Sequence, residues 1–289
     1  MLFQLLQGGI LLKVIEGTFN GVNGTQLFYR KAFQRESAKG MVLAVHGLGD
    51  HSGGLRNLYE KWAESGYIVY ALDLRGHGRS LGKRGFIRTW DEFRGDLHSL
   101  RELGASETQG LPIYLAGHSL GGVISADYAL HHGEGISGLV LIAPAISYRP
   151  TFFEKFLLAS LGKLKPDLAI RKNGDPEGLT LDPEILTRLT SDPLRHNTVT
   201  PGLGLGLMQA VSRIMKQSSA IQIPLLLQYG LEDKLTPPAK LREFFHSVGS
   251  GDKQTFEYDA MRHRPFDDLD RERFFADMLN WLDRHVERR

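Results

Sequence analysis

One serine stands where the sequence could support nucleophilic chemistry. Ser119 lies in a Gly-His-Ser-Leu-Gly stretch, residues 117–121, between an apolar run at 113–116 and a segment at 123–131 that we expect to be helical. This Gly-x-Ser-x-Gly arrangement predicts a nucleophile elbow, the tight strand-to-helix turn that exposes a serine hydroxyl at a helix N-terminus. The alternative is an ordinary glycine-rich turn, which the same five residues would also allow. An oxyanion donor before the serine, and an acid and a histidine after it, would favour the elbow.

A carboxylate and a histidine follow the serine in the order that a catalytic triad of this kind requires. Asp233 comes after the apolar run 223–229, and His263 follows the short run 255–258. Between them there is room for one helix and one strand, so we expect both side chains at the carboxyl edge of one parallel sheet. Glu232 is the competing carboxylate, and a turn or helix-capping role is the alternative for Asp233.

Other histidines and acids near these motifs are interpreted as structural. His77 and His118 are expected to order the loops in which they lie, and Asp73 and Asp96 are expected to support the fold. Further candidates for the base, such as His246, fall within predicted helices and do not follow a strand in the third triad position.

An oxyanion hole needs two backbone N–H groups aimed at one point. Leu120, directly after the serine, is expected to supply one of them. Leu48, in the His-Gly-Leu-Gly stretch 46–49 that follows the apolar run 41–45, is expected to supply the other. A His-Gly pair alone is weak evidence, whereas in order with the elbow, the acid and the histidine it predicts a complete site for acyl transfer.

These residues predict a two-step ester hydrolysis. Neutral His263 takes the proton of Ser119 while the serine oxygen attacks the ester carbonyl, and His263 then protonates the leaving alcohol. The two N–H groups hold the tetrahedral oxyanion, and Asp233 orients the imidazole and stabilises its cation. Water hydrolyses the acyl-enzyme by the same steps, so we expect neither a metal nor a cofactor.

The surrounding elements alternate as in an α/β protein whose sheet is mostly parallel and flanked by helices. Two strands at 14–21 and 25–33, joined by Asn-Gly turn residues, predict an antiparallel start. Continuous apolar runs predict strands buried on both faces, at 41–45, 67–72, 113–116, 138–143 and 223–229, with a last strand at 255–258. Helices are predicted between them, at 55–65, 90–103, 238–248 and 269–286.

The alternation stops between residues 145 and 219, where the chain becomes proline-rich and mixes polar with apolar residues. We interpret 145–219 as a helical cap inserted into a core that comprises 1–144 and 220–289. One helix is predicted within 199–214, loosened by three glycines. A second helix has an aromatic face that either packs on the core or faces the substrate, and its residues are Phe152, Phe153, Phe156 and Leu157.

Composition excludes several classes of protein. The chain of 289 residues has a formal net charge of only +2 with scattered basic residues, so we expect no nucleic-acid partner. It contains no cysteine, which excludes disulfides, thiolate metal sites and a cysteine nucleophile. The apolar stretch 1–12 lacks the features of a signal peptide and is shorter than the roughly 20 residues of a membrane span. We expect it to pack on the core as a strand or helix, or to form an unstructured start, with a membrane-touching anchor as the alternative.

Two further motifs resemble those of a known family. Residues 46–53 read His-Gly-Leu-Gly-Asp-His-Ser-Gly, and residues 75–85 read Arg-Gly-His-Gly-Arg-Ser-Leu-Gly-Lys-Arg-Gly. They resemble the signatures of the monoacylglycerol lipase and lysophospholipase branch of the α/β-hydrolases, which is grouped with serine aminopeptidase-type hydrolases. The triad region and the Asp-Pro-Leu stretch 192–194 are similar too.

The resemblance implies an α/β-hydrolase fold with a cap over the active site, and it implies the same triad and the same two oxyanion donors. Two positions depart from the family pattern. Asp50 stands where the family has a glutamate, and Arg264 follows His263 where a glutamate is common. The second departure concerns the loop that carries the base and the site for the polar head group.

We therefore expect a serine carboxylester hydrolase that acts on monoacylglycerols, lysophospholipids or related short- to medium-chain esters. A serine aminopeptidase on the same scaffold and a ligand sensor with very low turnover are the alternatives. A cytoplasmic location is the default expectation, with transient membrane contact through the cap or the N-terminus. The patterns do not distinguish acyl-chain lengths, head groups or oligomeric states.

Overall fold

The computed structural model describes residues 2–7, 10–35, 37–147, 162, 164–173 and 175–287. The strands that these residues form are, in chain order, β1 (Leu2–Gln7), β2 (Ile10–Asn20), β3 (Gln26–Phe33), β4 (Gly40–Val45), β5 (Tyr67–Leu72), β6 (Ile113–His118), β7 (Ile136–Ile142), β8 (Ile170–Arg171), β9 (Thr198–Val199), β10 (Leu225–Gly230) and β11 (Lys253–Tyr258). The helices are α1 (Arg56–Glu64), α2 (Asp91–Glu107), α3 (Leu120–His132), α4 (Pro183–Ser191), α5 (Pro201–Gln217), α6 (Pro238–Ser247) and α7 (Arg271–Glu287).

One large sheet organises the described part of the chain, with strand order β1-β2-β3-β5-β4-β6-β7-β10-β11. Strands β1 to β3 run antiparallel to their neighbours, including the β3–β5 pair, and every neighbouring pair from β5 to β11 is parallel. Strands β8 and β9 form a separate antiparallel pair. The predicted α/β fold with an antiparallel start and a mostly parallel sheet is confirmed.

Helices cover both faces of this sheet, which explains why its central strands are apolar throughout. In β4, Leu43 packs in a buried cluster with Phe93 of α2 and with side chains of α3. Its neighbour Val42 points to the other face, into a cluster that contains Trp62 of α1 and Trp281 of α7. Successive strand residues alternate between faces, so both faces of such a strand must be apolar when both are covered.

The N-terminal part of the chain extends the sheet by a hairpin. Strand β1 pairs with β2 in antiparallel register, with Leu2 opposite Ile15. The predicted hairpin between β2 and β3 is also present, and a single 3-10 turn, Val22–Gly24, connects the two strands. Asn23 in this turn has a φ of 59°, a conformation that asparagine and glycine tolerate best. Among the described residues, no helix has the length and apolar character needed to cross a bilayer.

The segment 145–219 is described in part, and its division from the core remains a prediction. Residues 152–157, which include the predicted aromatic face, lie outside the described residues. The helix expected within 199–214 is present as α5, but the glycines do not interrupt it. Instead they allow close packing, because a Cβ on Gly202 would lie 2.9 Å from the carbonyl oxygen of Pro166. Arg213 of α5 also forms an ion pair with buried Asp127 of α3.

Candidate active site

The serine lies on the strained turn that the sequence predicts. Strand β6 ends at His118 and α3 begins at Leu120, so Ser119 alone makes the turn, with φ 55° and ψ −117°. Such a backbone is costly for a residue with a Cβ and persists only where its surroundings hold it. Here the Ser119 N–H donates to the carbonyl of Ile142 at 3.0 Å, and the Ser119 carbonyl accepts from the N–H of Ala145 at 3.0 Å.

Two glycines make this elbow sterically feasible. A Cβ on Gly117 would lie 2.3 Å from the carbonyl oxygen of Gly121, and a Cβ on Gly121 would lie 2.2 Å from that of Val45. Both approaches are against backbone atoms, which cannot rotate away as the end of a side chain could. The strand and helix therefore pass as closely as the Gly-x-Ser-x-Gly pattern predicts.

Asp233 and His263 meet at the carboxyl edge of the sheet. Their strands, β10 and β11, are parallel neighbours, and Asp233 Oδ2 lies 2.8 Å from His263 Nδ1. Asp233 Oδ1 accepts hydrogen bonds from the N–H groups of Leu235 at 2.8 Å and Thr236 at 2.9 Å. The Thr236 hydroxyl donates to Oδ2. The competing carboxylate, Glu232, is exposed.

The surroundings of Asp233 keep it ionised. Burial raises the pKa of this carboxyl, but His263 and the hydrogen bonds from Thr236 outweigh burial and lower the pKa below its ordinary value. Because a carboxylate can only accept, the hydrogen-bonded Nδ1 of His263 carries the proton. The other ring nitrogen, Nε2, is then the one able to accept a proton from a nucleophile.

His118 connects the nucleophile to the loop of the base. Its ring lies next to that of His263, with centroids 4.8 Å apart, and its Nε2 lies 2.9 Å from the His263 carbonyl oxygen. Burial, followed by the charges of His263 and Arg264, lowers the pKa of His118 well below its ordinary value. A neutral His118 donates its Nε2 proton to that carbonyl, which agrees with its predicted role in ordering a loop.

The loop after β4 passes close to Ser119. A Cβ on Gly47 would lie 3.1 Å from Ser119 Cβ, so the residues around Leu48 run beside the nucleophile. Leu48 is followed by Gly49, which has a φ of 71°. Leu120 is the first residue of α3, and its N–H is among the first four of a helix that have no partner within it. Leu48 follows the glycine that approaches Ser119 and Leu120 follows Ser119 itself, so both remain the predicted oxyanion donors.

Buried polar groups hold the loop after β4, residues 46–53, which we call the oxyanion loop after its predicted role. His46 Nε2 accepts the N–H of Leu74 at 3.0 Å, which leaves Nδ1 to donate to the Gly47 carbonyl at 2.7 Å. Asp73 Oδ1 accepts the N–H of Ser52 at 2.6 Å, and its Oδ2 accepts that of Arg79 at 2.8 Å. Asp73 thereby joins the oxyanion loop to the loop of the second motif, a supporting role of the kind that the sequence predicts.

The two departures from the family pattern turn out to contact each other, which the sequence did not indicate. Arg264 Nη1 lies 2.5 Å from Asp50 Oδ2, and its Nε lies 2.7 Å from Asp267 Oδ2. Burial raises the pKa of Asp50, but Arg195 and Arg264 outweigh it and hold this pKa well below the ordinary value. In the sequence, Asp50 and Arg264 form only one of many possible opposite-charge pairs, and most of the chain separates them.

No group in the described ranges offers the three or more histidine, cysteine or acidic side chains that a metal site would need. A serine on a helix N-terminus, a paired carboxylate and imidazole, and two predicted N–H donors have the residue types that acyl transfer uses.

Comparisons with known proteins agree with this geometry. The family model described as serine aminopeptidase, S33, matches residues 36–270. A monoacylglycerol lipase from Mycolicibacterium smegmatis is 30% identical over 94% of this chain and 98% of the relative. The crystal structure of Paleococcus ferrophilus monoacylglycerol lipase has a TM-score of 0.82 at 34% identity and covers 90% of this chain and 99% of its own.

A third comparison carries a bound molecule. The structure of a soluble variant of monoglyceride lipase from Saccharomyces cerevisiae, in complex with a substrate analog, has a TM-score of 0.85 at 27% identity and covers 94% of both chains. The family model spans the body from β4 to the residue before α7, and the two relatives cover 90% or more of this chain. The chain belongs to the serine aminopeptidase S33 family of α/β-hydrolases and is a serine hydrolase of its lipase and esterase group.

Proposed function

We propose that this chain hydrolyses monoacylglycerols, lysophospholipids or related short- to medium-chain carboxylic esters through an acyl-enzyme on Ser119. The observation that carries the proposal is the 2.8 Å contact between His263 and Asp233. In addition, the carbonyl oxygen of His263 lies 2.9 Å from Nε2 of His118, the residue directly before Ser119. The names of the relatives, monoacylglycerol lipase and monoglyceride lipase, favour glycerol esters within this class.

The first step of the proposed reaction is proton transfer to the imidazole. His263 Nε2 takes the Ser119 proton as the serine oxygen bonds to the ester carbonyl carbon and the carbonyl becomes an oxyanion. Asp233, ionised and held by local hydrogen bonds, stabilises the imidazolium that forms. His263 then gives the proton to the departing alcohol, which for a monoacylglycerol is glycerol.

The oxyanion is received by the N–H groups of Leu48 and Leu120. Leu48 belongs to the loop after β4 and Leu120 begins α3, which supports assigning the two donors to these residues. Donors already in place when charge develops stabilise the transition state more than the substrate, which is the origin of the rate increase. Water then attacks the acyl-enzyme with His263 as base, and the fatty acid leaves.

Substrate choice is assigned to the segment 145–219. In this proposal it forms a cap, and Phe152, Phe153, Phe156 and Leu157 contact the acyl chain. Apolar side chains at helical spacing would bind such a chain by burying its methylene groups. The cap and the N-terminus are also the segments proposed to touch a lipid surface transiently.

The test compares wild type with Ser119→Ala on nitrophenyl esters of increasing chain length, monooleoylglycerol and lysophosphatidylcholine. We expect the variant to lose at least about 10³-fold in kcat/KM, since it lacks the nucleophile. Ser106→Ala is the matched control, because Ser106 lies exposed on α2 and bonds only its own helix, and it should retain full activity. Substantial turnover by Ser119→Ala would contradict the acyl-enzyme.

The same experiment separates the alternatives. Hydrolysis of aminoacyl amides without hydrolysis of esters would indicate an aminopeptidase. A lipid-induced rise in melting temperature without product from any ester would indicate a ligand sensor.

A further inference from the structure

The oxyanion loop is held on its outer side by a short segment from outside the predicted core. We name this segment, residues 192–196, the brace. Three consecutive loop residues each contact it: the Gly49 carbonyl accepts the N–H of His196 at 3.0 Å, Asp50 Oδ1 lies 2.5 Å from Arg195 Nη1, and His51 Nε2 lies 2.8 Å from Asp192 Oδ2. The brace therefore runs along the loop rather than touching it at one point.

The brace approaches Gly49 closely on the side where a side chain would lie. A Cβ on this residue would lie 2.0 Å from the carbonyl oxygen of His196, and its φ of 71° is unfavourable for any other residue type. Leu48 is thus confined on both sides, by Gly47 against Ser119 and by Gly49 against the brace. A donor N–H between two such contacts moves only if one of them moves.

Asp50 joins the brace to the loop of the base. One of its oxygens binds Arg195, and the other binds Arg264, which directly follows His263. The Asp50 and Arg264 side chains are 2% and 1% exposed, so water competes little for these contacts, whereas Arg195 is 17% exposed. Arg264 is held further by Asp267 and by the carbonyl of Gly54 at 2.5 Å.

The brace lies between two helices. Asp192, which directly follows α4, accepts the N–H of Leu194 at 2.8 Å and so closes a turn within the brace. After the brace, the Thr200 hydroxyl donates to the carbonyl of Gly85 at 2.8 Å, which ties the start of α5 to the loop of the second motif. The brace is therefore shaped by its own turn and anchored to the body beyond its C-terminal end.

We propose that Arg195 and Asp50 are positioning residues that set the oxyanion loop, so that the brace controls the placement of the Leu48 N–H. This inference rests on the proposed function, because it needs an oxyanion to form on Ser119. Neither residue touches the reacting atoms. Both act through the loop, and a loop donor displaced by a fraction of an ångström stabilises the transition state less while binding the ester about as well.

The decisive variants are Arg195→Gln and Asp50→Asn, which remove the charge and keep most of the side-chain volume. Arg213→Gln is the matched control, because Arg213 also pairs an arginine of the same segment with a buried aspartate, Asp127. That pair lies about two turns, roughly 12 Å, along α3 from Ser119. Arg195→Lys is the conservative variant, because lysine keeps a positive charge facing Asp50.

Three quantities are measured: kcat and KM for a soluble nitrophenyl butyrate, and the Kd of an alkyl trifluoromethyl ketone. The ketone adds to the serine and places an oxyanion in the hole, so it reports the hole directly. We expect Arg195→Gln to lower kcat about 10-fold with KM nearly unchanged, and to raise the Kd of the ketone by about the same factor. This loss is a fraction of the roughly 10²–10³-fold loss in kcat that removal of a whole oxyanion donor causes. Asp50→Asn should act in the same direction, Arg195→Lys should recover most of the loss, and Arg213→Gln should match wild type.

The outcomes are distinguishable. If Ser119→Ala abolishes turnover but Arg195→Gln and Arg213→Gln both match wild type, the proposed role of the brace is overturned and the proposed function stands. A rise in KM with unchanged kcat and ketone affinity would also overturn it, since that pattern indicates loss of substrate binding. If wild type forms no ketone adduct and Ser119→Ala retains turnover, the proposed function fails and the inference fails with it. Arg195→Gln decides alone if Asp50→Asn does not fold.

Discussion

The two sides of Ser119 are built from different kinds of contact. On the acid side, Asp233 is held by N–H groups two and three residues ahead of it and pairs with a histidine 30 residues away, in the loop after the neighbouring strand. On the oxyanion side, Asp50 and His51 are held by partners 141 to 214 residues away. The acid is thus held mainly by its own loop, whereas the oxyanion loop depends on two distant parts of the chain, the brace and the residue after His263.

This difference shows where the protein can be adjusted. A local turn forms whenever its own residues fold, so it gives a constant geometry. A loop held by remote ion pairs changes with the segments that supply the partners. We therefore expect variants on the acid side to lower kcat more than variants that loosen the oxyanion loop.

Asp233→Asn tests the acid side and should have the largest effect. The amide cannot hold the required imidazole tautomer or stabilise its cation, so kcat should fall about 10³–10⁴-fold. Glu232→Gln is the control at the adjacent position, where the exposed side chain should be replaceable without loss of kcat. Equal losses in the two variants, measured on a soluble nitrophenyl ester, would mean that the carboxylate has been assigned wrongly.

Gly49→Ala tests the oxyanion side with an intermediate effect. The new Cβ would lie 2.0 Å from the His196 carbonyl and must separate the loop from the brace, so kcat should fall about 10²-fold. Gly24→Ala controls for backbone strain, because Gly24 has a similar φ of 69° but nothing within 4 Å of the added Cβ.

The control should lose about 1 kcal/mol of unfolding free energy and no kcat. Urea unfolding and ester kinetics on both variants provide the measurement. If Gly49→Ala behaved like Gly24→Ala, contact with the brace would have no catalytic importance.

The pH dependence of stability should also come partly from the oxyanion side, and it gives the smallest effect. Burial, followed by the charge of Arg84, lowers the pKa of His196 to about 4, and its ring lies 4.6 Å from that of His77. Burial, followed by His46 and His196, holds the pKa of His77 well below its ordinary value. These imidazoles are neutral in the folded protein and take up protons on unfolding.

The unfolded chain therefore binds more protons once the pH falls below the ordinary histidine value of about 6.5. The unfolding free energy should decline from there towards pH 4. His196→Gln should make this decline shallower, while His246→Gln, at an exposed position on α6, should leave it unchanged. Urea unfolding at half-unit pH steps measures the slopes, and identical slopes in all three proteins would contradict the assignment.

Much of the fold could be predicted because its signals are local. The apolar run at 67–72 coincides with β5, and the helix predicted at 238–248 coincides with α6 within one residue. The turn around Ser119 could be predicted because the tight turn leaves no room for a side chain two residues before or after the serine, where the sequence has glycines. The glycines of α5 do not loosen it as the sequence predicts, because Gly202 and Gly206 pack closely against Pro166, Ile87 and Trp90, which a helical pattern does not reveal.

The Asp50 contacts show where sequence reasoning stopped. Asp50 and Arg264 were each noticed as departures from a pattern, and neither suggested the other. A buried ion pair is defined by two side chains meeting in space, and the sequence separation of 214 residues carries no periodicity that points from one to the other. Arg195 was not noticed at all, because an arginine in an irregular segment resembles any surface residue.

The sequence by itself determined the α/β body, the elbow and the chain order of serine, acid and histidine, since periodicity, steric demand and strand order are properties of neighbouring residues. Only the tertiary structure decided what holds the oxyanion loop. That support includes the charges of two arginines from distant segments brought out of water onto one carboxylate, and such an arrangement exists only once the sheet has brought their loops to a common edge.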